Sequence, residues 1–233
     1  MLGSTEDAPM HQLKLLSSRS EAGNIKSFVF EHGGLHWTAG QNQAFVLPQA
    51  GLEETDNLRW FTLSSAPSEK VVQVSTRISD SAFKQALDRL QPGDSIGVRD
   101  LGGDFTWEDD SAAQVVLVAG GIGVTPFRSI LLERHARGQQ LNATLLYFSR
   151  DAQIAFRDEL DQLCAQHPEL DVRYLIGEPI TAERILEEEP LTATSQVYLS
   201  GPEPMVESVG NALKQRGVNL KQDWFPGYDE RNY

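Results

Sequence analysis

The chain has 233 residues, 40% of them hydrophobic, and a formal net charge of −13. That length holds two modest domains or one large one with a proper core, and the acidity excludes nucleic acid and anionic membrane as main partners. Cys164 is the only cysteine, which excludes a disulfide framework and a cysteine-ligated iron–sulfur cluster within this chain.

Residues 1–9 read as a frayed start without a signal peptide. From there to about residue 110 the signals are short strands and turns. Residues 11–16 alternate, 17–24 read as a turn, 25–30 alternate again, and Gly33-Gly34 closes the pair. Further strands are predicted at 43–48, 58–63, 71–78 and 95–99, the last entered from Gln91-Pro-Gly-Asp94. Short strands at this spacing, with Gly and Pro between them, predict a closed antiparallel barrel over 10–110. One helix interrupts them. Residues 81–90 place Phe83, Leu87 and Leu90 on one face, with Ser79 or Asp80 positioned to cap it.

Arg59-Trp-Phe-Thr-Leu-Ser-Ser-Ala-Pro67 is the most informative part of this half. The period of two puts Arg59 and Phe61 on one side and turns Thr62 the other way. An Arg can clamp a pyrophosphate, an aromatic can cover a flat ring, and a hydroxyl can bond a ring nitrogen. Taken alone, the segment reads rather as an amphipathic strand with an exposed Arg.

After Asp110 the rhythm changes to strand, loop, helix. Residues 115–119 form a continuous apolar run of the kind buried on both faces of a parallel sheet. Gly120, Gly121 and Gly123 let the backbone turn and approach a ligand; Thr125 can cap the next helix and Pro126 suits its first position. A helix N-terminus leaving a glycine loop is an anion site, although Gly-x-Gly-x-x-Pro alone stands equally for a structural turn. Strands follow at 141–148, 171–176, 196–199 and 220–225, and helices at 152–166, 181–188 and 204–216, with Cys164 read as core packing. The alternation predicts a doubly wound parallel sheet over 111–233. Ligands bind beyond the carboxyl ends of such strands, where the loops 120–126, 149–151 and 200–202 fall. An acid after the second strand would select NADH; Ser149 and Arg150 stand there instead, which favours NADPH. Asp151 follows them and can cap the next helix, while Arg150 also reads as a solvated loop charge. The five histidines are scattered, so no metal site is expected.

Four motifs occur in order: Arg59-x-Phe61-Thr62, Ser79-Asp-Ser-Ala-Phe83, Gly120-Gly-Ile-Gly-Val-Thr-Pro126 and Ser200-Gly-Pro202. With them the chain resembles the ferredoxin–NADP⁺ reductase superfamily of flavoproteins over nearly its whole length. The resemblance implies a two-domain fold, an antiparallel β-barrel that binds flavin followed by the α/β nucleotide-binding domain. It assigns Arg59 to the flavin pyrophosphate, Phe61 to the isoalloxazine ring, and Thr62 to flavin N5. Ser81, Ala82 and Phe83 would offer backbone N–H groups to the flavin phosphates. Trp60, Leu63, Ser64, Thr76, Arg77 and Ile78 complete that side. Gly121, Gly123, Val124, Thr125 and Pro126 would line the nicotinamide nucleotide pyrophosphate, with Ser149, Arg150, Gly201, Pro202 and Met205. Ser200 stands where the family usually has Cys beside the nicotinamide, and Phe61 where it usually has Tyr. Phe225 and Tyr228 belong to the C-terminal aromatic segment near the flavin, and either ring suits the nicotinamide side. Thr62, Ser200 and Tyr228 are the expected catalytic residues.

The activity implied is that of an NAD(P)H oxidoreductase containing FAD, with FMN as the other candidate, and using NADPH or NADH. Hydride passes to the flavin and electrons leave to an external acceptor such as a ferredoxin-like redox protein. The alternatives are an electron-entry subunit of a larger complex and a ferric-siderophore or free-flavin reductase. A cytoplasmic monomer is expected, without membrane insertion and without an iron–sulfur domain or heme attachment of its own.

Overall fold

The structure is a computed structural model that describes residues 10–47, 57–107, 114–192 and 194–225, with Phe225 described in its backbone alone. Six strands, β1 (His11–Ala22), β2 (Ile25–Glu31), β3 (Asn42–Val46), β4 (Leu58–Thr62), β5 (Val71–Arg77) and β6 (Ser95–Gly102), form an antiparallel sheet in the order β4-β3-β6-β1-β2-β5. Its two edges meet where Leu63 bridges Val74 and Ser64 N donates to Gln73 O at 2.8 Å. Closing the sheet in this way leaves no free edge for stray pairing. Leu13, Phe28, Phe30, Phe45, Val72 and Val98 fill the interior, and α1 (Ala82–Asp88) adds Phe83, Ala86 and Leu87 to the same core.

The structure corrects several expected boundaries in this half. The turn after β1 is only Gly23-Asn24, with Gly23 at φ +54°, and β1 continues to Ala22. Residues 17–20 are polar and exposed on both sides, so no alternation marks them as a strand; the ladder to β2 holds them. Strand β6 likewise runs on to Gly102 past a register shift. There buried Gln43 donates from Nε2 to the carbonyls of Arg99 and Asp100, at 2.9 and 2.8 Å. The residue capping α1 is Ser81, not Ser79 or Asp80, and its side chain makes no cap bond.

The second half is a five-stranded parallel sheet of β7 (Val115–Gly120), β8 (Ala143–Ser149), β9 (Leu170–Ile176), β10 (Gln196–Pro202) and β11 (Asn219–Phe225), in the order β11-β10-β7-β8-β9. Helices α2 (Thr125–Ala136), α3 (Arg157–Gln166), α4 (Ala182–Glu188) and α5 (Glu203–Gln215) connect successive strands. The apolar run of β7 divides by a period of two. Leu117 and Ala119 face one core with Phe127, Leu131 and Leu160; Val116 and Val118 face the other with Val206 and Val209. Helix α3 starts later than expected, at Arg157, after Phe156 takes a left-handed φ of +62°. The chain is therefore a two-domain fold, an antiparallel barrel followed by a doubly wound α/β sheet. Among the described residues no helix is long and apolar enough to cross a membrane. Ile25 and Phe105 from the first half join the core of the second.

Candidate functional site

Strand order reverses between β7 and β10. Such a switch point opens a crevice beyond the carboxyl ends of the two strands, because their connections leave to opposite faces. Here the backbones at those ends almost touch: a Cβ on Gly201 would lie 3.3 Å from Gly120 Cα and 2.4 Å from Met205 Cε. The three glycines after β7 do different jobs. Gly121 sits at φ +55°, and a Cβ there would meet nothing within 4 Å. Gly123 is needed by internal packing, since its Cβ would fall 2.2 Å from the Ser200 carbonyl oxygen. Gly123 thus has a packing reason beside the ligand role expected of it.

Gly121–Val124 forms a 3₁₀ turn that runs straight into α2. Thr125 is not the cap: it is the first α-helical residue, and its hydroxyl donates to Ile122 O at 3.1 Å. Pro126 occupies the first turn, where it needs no donor. Of this loop Gly120, Gly121 and Ile122 line the opening, and only Gly121 is not buried; Gly123, Val124, Thr125 and Pro126 are buried and do not line it.

The opening is a crevice of about 680 Å³ between the two halves. Gly121, Ser149, Arg150, Pro202 and Met205 line it from the parallel sheet, and Ala22, Gly23, Ile25 and Arg77 from the barrel. Phe148, Ile180 and Ile122 give it apolar wall. Asp151 also lines it but does not cap α3; its Oδ1 accepts from Gln153 N at 2.8 Å. Asn24 braces the barrel side, accepting from Arg77 at 2.6 Å and donating to Ile78 O at 3.0 Å.

Where the barrel meets the carboxyl end of β10, three strands bring polar side chains together. Thr62 on β4 donates to Asp223 Oδ2 at 3.5 Å, and Asp223 on β11 pairs in register with Ser200 on β10. Thr62 and Ser200 are buried, and the Ser200 hydroxyl has no partner at full hydrogen-bonding geometry. Burial pushes the Asp223 carboxyl up to about 7. The neighbouring Thr62 and Ser200 hydroxyls pull the other way, and Asp104 adds to the rise. Sequence reasoning missed Asp223. Nothing in Leu-Lys-Gln-Asp-Trp-Phe marks its acid, whose meaning comes from register with Ser200.

On the barrel, Phe61 packs against Phe45 and Phe83 with ring centroids 6.0 and 5.8 Å apart. That contact sets β4 beside the start of α1, where Ser81 and Ala82 are accessible and Phe83 points its ring into the core. Arg59 is half-buried and donates to Leu58 O, and Trp60 is exposed on the opposite face. Leu63, Ser64 and Thr76 are fully buried. The Ser64 hydroxyl is engaged by Gln73 O and Ser75, at 3.1 and 2.7 Å, so these three do not reach an open surface. Tyr228 and the Phe225 side chain lie outside the described residues.

A family model described as "Oxidoreductase NAD-binding domain" matches residues 117–211. The flavohemoprotein of Burkholderia sp. (strain TH2) is 28% identical over 221 residues, covering 87% of this chain and 55% of that protein. Ferredoxin–NADP reductase B of Sorangium cellulosum is 34% identical over 146 residues, covering 61% of this chain and 56% of that one. The FAD/NAD-binding domain of the nitric oxide dioxygenase of Vibrio cholerae superposes with a TM-score of 0.77 at 23% identity, covering 92% of this chain and 98% of that domain. This chain spans a little over half the length of the curated relatives it matches.

Proposed function

We propose that this chain, which matches an oxidoreductase NAD-binding domain over residues 117–211 and is similar to flavohemoproteins and a ferredoxin–NADP reductase, is an NAD(P)H-dependent flavoprotein oxidoreductase of the ferredoxin–NADP⁺ reductase superfamily that draws reducing equivalents from NADPH into bound FAD and delivers them to a separate redox protein. The observation that carries this reading is the convergence of Thr62 from the barrel with Ser200 and Asp223 from the parallel sheet.

The residues fit the groups implied. Arg77 and Arg150 face the crevice from opposite halves, as two phosphate-bearing segments require. The open side of Gly121 leaves room for close backbone approach, and Phe148, Ile180 and Met205 offer apolar wall to flat rings. On the barrel, Arg59, Phe61 and the start of α1 would hold the flavin. Arg150 at the crevice supports NADPH over NADH, and Asp151 beside it has one carboxylate oxygen, Oδ1, held by Gln153 N.

When bound, the flavin supplies the chemistry that accepts a hydride from nicotinamide and releases electrons onward. The protein's part is to hold the two rings in register and exclude water. Thr62 and Ser200 present hydroxyls from the two facing halves. Asp223 holds a proton on its carboxyl near neutral pH and exchanges it through the Thr62 hydroxyl. We also propose that the chain divides at 110/111 into flavin-binding and nucleotide-binding domains, and that it is a cytoplasmic monomer.

The test is anaerobic: the purified protein should carry yellow flavin that bleaches on adding NADPH. Flavin that binds but never bleaches with either nucleotide would overturn the reading. Adding basic and acidic redox proteins to the reduced form then sorts the acceptors.

A further inference from the structure

Arg128, on α2 only two residues beyond Pro126, is 3% exposed. Its five N–H groups are all engaged. Nε donates to Glu159 Oε2 at 2.6 Å, and Nη2 to Glu159 Oε1 at 3.2 Å and Glu69 Oε1 at 3.1 Å. Nη1 donates to Glu69 Oε2 at 2.9 Å and to the Ser64 carbonyl at 2.6 Å. The guanidinium also lies 5.1 Å from the centre of the Phe156 ring. Ser64 and Glu69 belong to the barrel half, two and seven residues after Thr62; Glu159 belongs to α3. The same helix adds Ser129, whose hydroxyl donates to Ser65 O at 2.7 Å, and Glu133, which accepts from Ser68 N at 2.8 Å.

One guanidinium therefore ties the end of β4 to the helix that starts at the glycine loop. The path from Thr62 to Gly121 runs through a barrel carbonyl, one side chain and the first turn of α2. A buried arginine between two partly exposed carboxylates, Glu69 at 31% and Glu159 at 34% side-chain exposure, is a poor source of net stability, because desolvating the guanidinium offsets much of the attraction. It is a strong source of fixed geometry, because two forked pairs specify both distance and angle. We propose that Arg128 is a positioning residue that holds the nicotinamide loop at a fixed distance and angle from the flavin-side strand. This rests on the redox reading above.

The test uses full-length protein in two forms. Arg128→Met combined with Glu69→Gln and Glu159→Gln removes every charge, so no carboxylate is stranded. Arg128→Lys keeps the charge but loses the fork. Three readouts apply: the limiting rate of flavin reduction by NADPH with its charge-transfer absorbance, affinity for 2′,5′-ADP, and amide hydrogen exchange over 64–69 without nucleotide. Both variants should bind 2′,5′-ADP and flavin as wild type does. Both should lose the charge-transfer band, reduce flavin about 10- to 100-fold more slowly, and exchange those amides faster. An unchanged limiting rate, a rate that falls only in step with 2′,5′-ADP affinity, or full recovery in the Lys form would overturn the proposal. If wild type itself does not bleach, the redox reading fails; unchanged amide exchange in the variants would then overturn the role of Arg128 separately.

Discussion

Asp223 sits where three strands converge, and its raised pKa has a thermodynamic cost. An unfolded Asp titrates near 4, whereas the folded one titrates at about 7. Between those values the folded state binds more protons than the unfolded state. Its contribution to stability is full below the lower value, falls as pH rises through the window, and is lost above about 7. Asp223→Asn should remove that slope and raise stability at pH 8 by roughly 1–4 kcal/mol, read from urea midpoints across pH. It should also slow flavin reduction and flatten its pH profile near 7. A slope that persists in the Asn form would show that another group titrates. Two arginines give separable outcomes. Arg150→Ala should raise KM for NADPH roughly tenfold and leave that for NADH unchanged; an equal rise for both would remove the 2′-phosphate role. Arg59→Ala should lower flavin retention through gel filtration, and flavin retained at wild-type stoichiometry would count against the pyrophosphate assignment.

At the level of elements, what could be read in the chain depended on whether one local pattern carried the signal. Strand β7 was legible because both of its faces are buried, so its apolar run is unbroken. The second half of β1 was not, since polar residues there face solvent on both sides and only the partner strand holds them. The start of α3 was placed too early because a short apolar stretch, Ile154-Ala155-Phe156, reads as helix until Phe156 turns left-handed. The glycine loop was found, but its division of labour was not; only the neighbouring strand shows that Gly123 faces a carbonyl. Gly123→Ala should therefore destabilise by roughly 2–4 kcal/mol, since backbone cannot swing aside as a side chain can. Thr181 caps α4 by accepting from Arg184 N at 3.1 Å. Its Ala form should cost about 1 kcal/mol and leave flavin reduction intact, which makes it the control for stability loss without loss of chemistry.

Across the whole molecule, the two architectures were legible because each repeats its own rhythm, short strands and turns in one half and strand–helix alternation in the other. Their docking was not. Helix α2 is buried over nearly its whole first two turns, so no polar stripe set Arg128 apart, and its partners come from 59 and 31 residues away along the chain. Net charge acts at this scale too. With −13 overall, reduction of an acidic partner should speed up as salt rises and that of a basic partner should slow, each followed by stopped flow between low and moderate ionic strength. Rates indifferent to salt with both would mean that long-range attraction has no part in choosing the acceptor.

Among the described residues, strand β11 pairs with another strand along one side only, with β10. The residue that carries the exchangeable proton thus rides on an edge ribbon of its sheet. If β11 peels by a few residues, Asp223 leaves Thr62 and Ser200 while the crevice between β7 and β10 keeps its shape. Such a protein would still capture nucleotide and yet fall chemically silent. Fraying at one margin would then act as an off state, without disturbing the vault of strands on the other side.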